Sequence, residues 1–402
     1  MSAAAAPDAF TPPPGNPRFP LVDGLRALAA LAVLVFHVGG VTFFTLSHPF
    51  GGYVARLNVG VTLFFVISGF LLYRPFLAAR FARADEQIVA PRVRDYARRR
   101  ALRVLPAYWV ALVVLGAAAD LSGVFGGRWW VYAFLLQGYR LDWLLGGIGP
   151  AWSLSIEVAF YAALPLWAIA LGRLGRGRPR ATMIRIELCG LALAYLGALA
   201  VRTLAFHAEG HQVALHTTLL GTADWFALGM LLALASVVLQ GRERSWAPVR
   251  LIVDRPWIAW LLAAVLFFVL ATRLGIQSTI LPIYSERQWL AQQILFGLVA
   301  LLVAAPAVFA PPRPAGIVRG LLAHPGVAWL GLVSYGIFLW HDPVLVRWIA
   351  PHTNAWSHPF LGTLAVTLAV AVALGAASYY LVERPLLRFK DPRRRPGPAS
   401  AG

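Results

Sequence analysis

LVDGLRALAALAVLVFHVGG, residues 21–40, is an apolar segment that carries an arginine, Arg26, and a histidine, His37, eleven positions apart. Twenty residues in a helix, at about 1.5 Å each, cross the roughly 30 Å hydrocarbon core of a bilayer. At about 100° per residue, eleven steps return nearly to the same helix face, so the two side chains point the same way, about 16 Å apart along the axis. A cation and an imidazole in a membrane helix each cost on the order of a few kcal/mol unless they line a polar cavity or find partners. Their presence points to a functional site inside a membrane protein.

The remainder of the chain fits that reading. It is 59% hydrophobic and 13% charged, against roughly 45–50% and about 25% in a soluble domain. Apolar runs recur at about 21–41, 58–79, 101–120, 151–172, 187–206, 217–240, 256–273, 289–309, 326–349 and 359–385. Runs of this length predict transmembrane helices. The expected fold is therefore all-α, a polytopic bundle of about ten transmembrane helices filling residues 21–389. WWVYAFLLQGY (129–139) is too short to span and reads as an interfacial or re-entrant piece. The Pro- and Ala-rich tail 1–20 and the basic tail 390–402 read as disordered. The N-terminal tail lacks the charged and short apolar regions of a cleavable signal peptide. The single cysteine, Cys189, excludes an internal disulfide and any multi-cysteine metal site, and no metal is expected.

Arginine orients the bundle. With the N-terminus in the cytoplasm, the inner segments hold 26 of the 35 Lys and Arg residues and the outer segments five. The positive-inside rule then places both termini in the cytoplasm. The net charge of +18 invites a nucleic-acid reading. That reading is rejected, because the charge is spread over the inner loops of a membrane protein, where anionic lipid headgroups account for it. Membrane lipids are the expected partners; no obligatory protein partner is evident.

The polar residues inside the helices carry the chemistry. In NVGVTLFFVISGFLLYRPF (58–76), Ser68-Gly69 reads as a small-residue packing spot, and Arg74 can snorkel toward the inner surface. In PRVRDYARRRALRVLPAYW (91–109), Arg98, Arg99, Arg100 and Arg103 precede Tyr108. The plain reading is a stop-transfer charge cluster. The sharper one is a phosphate site on the cytoplasmic side, suited to a nucleotide-bearing cosubstrate such as coenzyme A. GPAWSLSIEVAFYAALPLW (149–167) places Glu157 about six residues inside a helix that enters from the outside, at a depth similar to His37. A carboxylate beside an imidazole prepares a general base; a structural pairing of Glu157 with an arginine is the alternative. SYGIFLWHDPV (334–344) brings Tyr335, Trp340, His341 and Asp342 toward the outer end, either lining the same cavity or serving as interfacial belt residues. Arg202 and Asp224 could pair with each other, and Glu383 with Arg384 closes the last helix as a structural ion pair. Intramembrane Arg, His, Glu and Asp also suit a proton-coupled transporter, but no internal repeat and no paired interrupted helices are visible.

These segments resemble the acyltransferase family 3 membrane O-acyltransferases over about residues 20–390. The resemblance rests on GLRALAALAVLVFH with its R-x10-H spacing, FFVISGFLL, RRRALRVLPAYW, WSLSIEVAFYAALPL, SYGIFLWHDPV and ERPLLRF, in that order. It implies a ten-helix domain, both termini cytoplasmic, in the cytoplasmic membrane of a bacterium. It implies transfer of an acyl group, with acyl-CoA (acetyl-CoA above all) as cosubstrate and no tightly bound cofactor. The acceptor class is a hydroxyl on a carbohydrate, a lipid-linked glycan or a glycosylated small molecule. Arg26 and His37 match the family's helix-one pair, Arg100 and Arg103 its basic helix-three motif, and Glu157 the acid after Trp-Ser. Thr62 departs from a common acidic residue and Asp342 from a common second histidine. No esterase-like domain follows, so the chain reads as the stand-alone form.

The expected site is then a catalytic set of His37, Glu157 and Arg26, a donor site of Arg98, Arg99, Arg100, Arg103 and Tyr108, and an acceptor site of Trp152, Ser153, Tyr161, Tyr335, His341 and Asp342. His37, supported by Glu157, would act as general base; an acyl-His37 intermediate is the other route.

Overall fold

A computed structural model describes residues 19–82, 88–208, 215–311 and 316–389. The tails expected to be disordered lie outside this range, apart from residues 19 and 20. Ten principal helices match the ten apolar segments: α1 (Val22–Val41), α2 (Val59–Arg80), α3 (Val93–Ala119), α4 (Trp152–Gly175), α5 (Arg180–His207), α6 (Ala223–Val238), α7 (Pro256–Thr272), α8 (Glu286–Val308), α9 (Pro325–Val344) and α10 (Pro359–Ser378). Among the described residues there is no strand. Among the described residues, eight helical stretches are long and apolar enough to cross a membrane. A ninth candidate combines α7 with the preceding helix Ala247–Asp254, bent by 97° where Arg255 precedes Pro256. The residue before a proline is driven out of helical geometry, which accounts for that break. The chain is a multi-pass integral membrane protein.

Two of the tight seams border the bundle interior. Along the first, α2 packs on α6 through glycine. A Cβ added at Gly69 would overlap the Phe226 carbonyl oxygen, and one at Gly229 that of Val66. Close backbone approach through small residues is how membrane helices gain contact when the surrounding lipid is as apolar as their side chains. Phe65, Phe226 and Phe160 stack beside this seam, with centroids 4.6 and 4.0 Å apart. Along the second seam, α1 packs on α9, where a Cβ at Gly331 would collide with the Asp23 carbonyl oxygen. These seams clamp α1, α2 and α9 around one interior space.

Buried ionic residues tie helices together. Glu187 on α5 is 1% exposed, accepts from the Tyr73 hydroxyl at 2.6 Å and pairs with Arg80 of α2. Arg74 does not snorkel outward. It is buried, with Nε 3.1 Å from Ser236 Oγ and its guanidinium over the Phe19 ring. Arg202 and Asp224 are joined through intermediaries among the described contacts: Arg202 Nε donates to the Gly221 carbonyl at 2.8 Å, while Gln293 Nε2 holds both Asp224 oxygens at 2.8 and 2.9 Å. The segment 129–139 forms a short helix, Trp129–Ala133, and a 3-10 turn, Gln137–Tyr139, between α3 and α4. Val131 and Tyr132 anchor it while Trp129 and Trp130 stay exposed.

Candidate active site

An interior cavity of about 860 Å³, counting the space open to solvent at its mouth, lies between α1, α2, α3, α4 and α9. Arg26, Arg100 and Arg103 supply its positive charge, and Glu157 its negative charge. Ser68, Ser153, Tyr161, Ser334 and Tyr335 add hydroxyls, and Phe64, Phe65 and Phe338 supply apolar wall.

Helical periodicity explains which arginines reach this space. Tyr96, Val104 and Ala107 form the buried face of α3. Arg100 and Arg103 sit at four- and three-residue spacings on that face. Arg98 points outward and is exposed, and Arg99 is half-buried; neither lines the cavity. Tyr108, also expected at the donor site, is fully buried and donates to the Tyr132 carbonyl at 2.6 Å, outside the cavity wall. Arg26 is 3.9 Å from Asp23, one turn earlier on α1. Arg103 Nη1 lies 2.5 Å from Glu383 Oε2, so Glu383 reaches across to α3.

Glu157 does not pair with His37. Its Oε1 accepts from Ser68 Oγ at 2.5 Å, and Tyr161, one turn along α4, is within hydrogen-bonding reach. Similar depth in the bilayer leaves open which way each side chain faces, and α4 turns Glu157 toward α2 and the arginine cavity. Ser68 also departs from the packing reading. Gly69 makes the close contact with α6, and Ser68, about 100° around the helix, faces the cavity. Adjacent positions on a helix cannot face one neighbour, and that was the available signal for Ser68.

His37 finds its side-chain partners on α9. Its Nδ1 lies 2.9 Å from the Val33 carbonyl oxygen and 3.2 Å from His341 Nε2. Its Nε2 lies 3.9 Å from Asp342 Oδ1. His341 is 1% exposed, with Nδ1 at 2.8 Å from the Phe338 carbonyl and 3.2 Å from that of Ile337. His341 therefore stands behind His37, while Asp342 stands beside it at the accessible edge. Phe338, which lines the cavity, also faces the His341 ring at 6.0 Å, so one α9 side chain borders both the arginine cavity and the histidine pair.

The expected acceptor residues divide. Ser153 donates to the Pro150 carbonyl at 3.0 Å and Tyr335 to that of Val104 at 2.8 Å, and both line the cavity with Tyr161. Trp152 packs against the main core instead. Trp340 is buried in the apolar cluster shared with α3. Ser334 and Phe338, which the sequence reading passed over, line the cavity one α9 turn apart.

A multi-pass helical bundle enclosing a basic cavity next to an imidazole pair defines the class. The chain belongs to the acyltransferase family whose model, described as an acyltransferase domain, matches residues 19–382. Among curated proteins, it is 25% identical to the putative peptidoglycan O-acetyltransferase YrhL of Bacillus subtilis, over 91% of this chain and 54% of that protein. It is 25% identical to nodulation protein 10 of Rhizobium leguminosarum bv. viciae, over 92% and 93%. It is 24% identical to the peptidoglycan O-acetyltransferase OatA of Listeria monocytogenes, over 91% and 55%. The chain thus spans about half the length of several of the relatives it matches, and nearly all of the rhizobial one. No solved structure matches it.

Proposed function

We propose that this protein is a membrane-embedded O-acyltransferase that moves an acyl group, acetyl above all, from acyl-CoA to a hydroxyl of a glycan or glycosylated molecule. One observation carries the reading: α1 presents Arg26 to a basic cavity and, eleven residues on, His37 to a histidine partner on α9. Donor phosphates would sit on Arg100, Arg103 and Arg26, where guanidinium groups bind phosphate oxygens bidentately. Arg98 and Arg99 lie at the same end of α3 and would add to the field that draws in an anion. The thioester arm would pass Ser153 and Phe338 toward His37. Both peptidoglycan O-acetyltransferase relatives are named for a hydroxyl-bearing glycan, which supports the acceptor class.

The arginine distribution favours a cytoplasmic donor entrance with both termini inside, and an acceptor arriving from the outer side. His37 would take the hydroxyl proton as the oxygen attacks the thioester carbonyl. General base catalysis supplies about 10²–10⁴-fold, and holding the two substrates together supplies more. Glu157 would act on the donor side, balancing the arginine charge and orienting Ser68.

The deciding experiment is acyl-CoA binding and thioester turnover by purified protein in detergent, with His37→Ala and Arg100→Ala alongside. Wild type should bind acetyl-CoA and turn it over slowly. Arg100→Ala should weaken binding, and His37→Ala should bind but not react. A wild-type protein that neither binds nor turns over any acyl-CoA removes the donor and sinks the enzyme reading. Net flux of a polar solute through proteoliposomes without a donor would put a carrier in its place.

A further inference from the structure

The hydrogen bonds around His37 fix which of its nitrogens is free. The two partners of His341 Nδ1 are the carbonyl oxygens of Phe338 and Ile337, at 2.8 and 3.2 Å. Carbonyls only accept, so His341 Nδ1 carries the hydrogen and its Nε2 is an acceptor. That acceptor lies 3.2 Å from His37 Nδ1, which also faces the Val33 carbonyl oxygen at 2.9 Å. With two acceptors around it, His37 Nδ1 carries the hydrogen as well. His37 Nε2 is left with its lone pair, 3.9 Å from the carboxylate oxygen of Asp342.

Two acceptors therefore stand side by side, too far apart to hydrogen-bond and, among the described residues, with no donor serving either atom. Both side chains keep an accessible edge, at 18% and 19% exposure. The approach to Asp342 is held open by glycine: a Cβ at Gly149 would come within 3.2 Å of Asp342 Oδ2. A single hydroxyl brings one proton and cannot donate to both acceptors.

Resting on the acyltransfer reading, we infer that the acceptor substrate presents two hydrogen-bond donors on neighbouring carbons, as in a vicinal diol of a sugar ring. The reacting hydroxyl donates to His37 Nε2 and its neighbour to Asp342. Gauche oxygens on adjacent ring carbons lie about one hydrogen-bond length apart, which suits acceptors at this spacing. In the transfer, the reacting O–H bond breaks and its proton passes to His37 Nε2. The oxygen forms a bond to the thioester carbonyl carbon, the C–S bond breaks, and the departing thiolate takes the proton from Nε2. The neighbouring hydroxyl stays on Asp342 and is not acylated, so the product is a monoester.

The test compares transfer from acetyl-CoA to methyl glucopyranoside and to its monodeoxy analogues, with wild type, Asp342→Ala and Asp342→Asn. With wild type, removing the hydroxyl next to the acylated one should lower kcat/KM by about 10- to 100-fold, the loss of one hydrogen bond to a charged group. Asp342→Ala should react equally with both compounds, and Asp342→Asn, which keeps an accepting oxygen and the side-chain volume, should retain part of the preference. Acetyl-CoA binding by each variant reports that it is folded. Equal rates on diol and deoxy acceptors with wild type overturn the inference, and so does a preference that survives in Asp342→Ala. Donor turnover that depends on His37 but transfers to no diol also overturns it, leaving the acyltransferase reading standing. Absence of any acetyl-CoA turnover removes both.

Discussion

Arg103 and Glu383, 280 residues apart in the chain, meet at 2.5 Å and join α3 to the π-helical turn that follows α10. The carboxylate is 1% exposed, and the arginine also lines the cavity. One side chain thus serves both the fold and the charge of the proposed donor site.

Arg103→Ala is expected to weaken acyl-CoA binding and also to destabilise the protein, because it strands Glu383 inside. Breaking a buried pair costs about 3–5 kcal/mol. Arg100→Ala should weaken binding with little change in melting temperature. The double variant Arg103→Ala/Glu383→Ala should recover much of the lost stability without recovering binding. Thermal melting and acyl-CoA titration of the same preparations separate the two effects.

Glu187 should be a stability residue without a direct effect on transfer. It accepts from Tyr73 at 2.6 Å and pairs with Arg80. Glu187→Ala leaves Arg80 without its carboxylate and is expected to cost about 3–5 kcal/mol. Tyr73→Phe removes one hydrogen bond to a charged group and should cost about 1.5–3 kcal/mol. A melting series in detergent checks the order.

The glycines of the α2–α6 seam should tolerate no side chain. Gly229→Val drives a branched carbon into the Val66 carbonyl, which even a single Cβ would overlap. Overpacking costs about 1–3 kcal/mol where side chains can shift, and here backbone must move, so loss of monodisperse protein is expected. At Gly197 in α5, by contrast, an added Cβ would meet nothing within 4 Å. Gly197→Ala should be neutral or stabilising by up to about 1 kcal/mol. Size-exclusion profiles and melting temperatures distinguish the two sites.

Acid should loosen the protein through His216. This histidine lies between α5 and α6, is 4% exposed, and neither ring nitrogen has a hydrogen-bond partner among the described residues. Burial, followed by the Arg202 charge, holds its pKa at about 3, below the ordinary 6.5. The unfolded chain takes up the proton below about pH 6.5 and the folded one only near 3, so stability falls as pH falls across that window. At pH 5 the loss is about 2 kcal/mol. His216→Phe should flatten the dependence of melting temperature on pH between 7 and 5. An unchanged slope would assign the acid sensitivity to other groups.

Much of this protein is legible in one dimension. Twenty-residue apolar runs have few alternatives to a membrane helix, because a bilayer cannot satisfy an open backbone; the ten segments accordingly correspond to α1 to α10. The shared face of Arg26 and His37 follows from 3.6 residues per turn, as does the choice of Arg100 and Arg103 over Arg98 once the buried face of α3 is known. Partner choice between helices does not follow. Depth placed Glu157 level with His37, yet the rotation of α4 sends it to Ser68, and the carboxylate beside His37 comes from α9 as Asp342. Ser68 and Gly69, read together as one packing spot, part for the same reason: the α2–α6 contact sets the azimuth of α2, so Gly69 packs and Ser68 faces the cavity. Periodicity determines which residues of one helix face together, whereas the glycine seams and buried ion pairs decide which helix each face meets. The pairing of Arg103 with Glu383, and of His37 with His341, belongs to that second kind of information, since only packing brings residues 280 and 304 positions apart into contact.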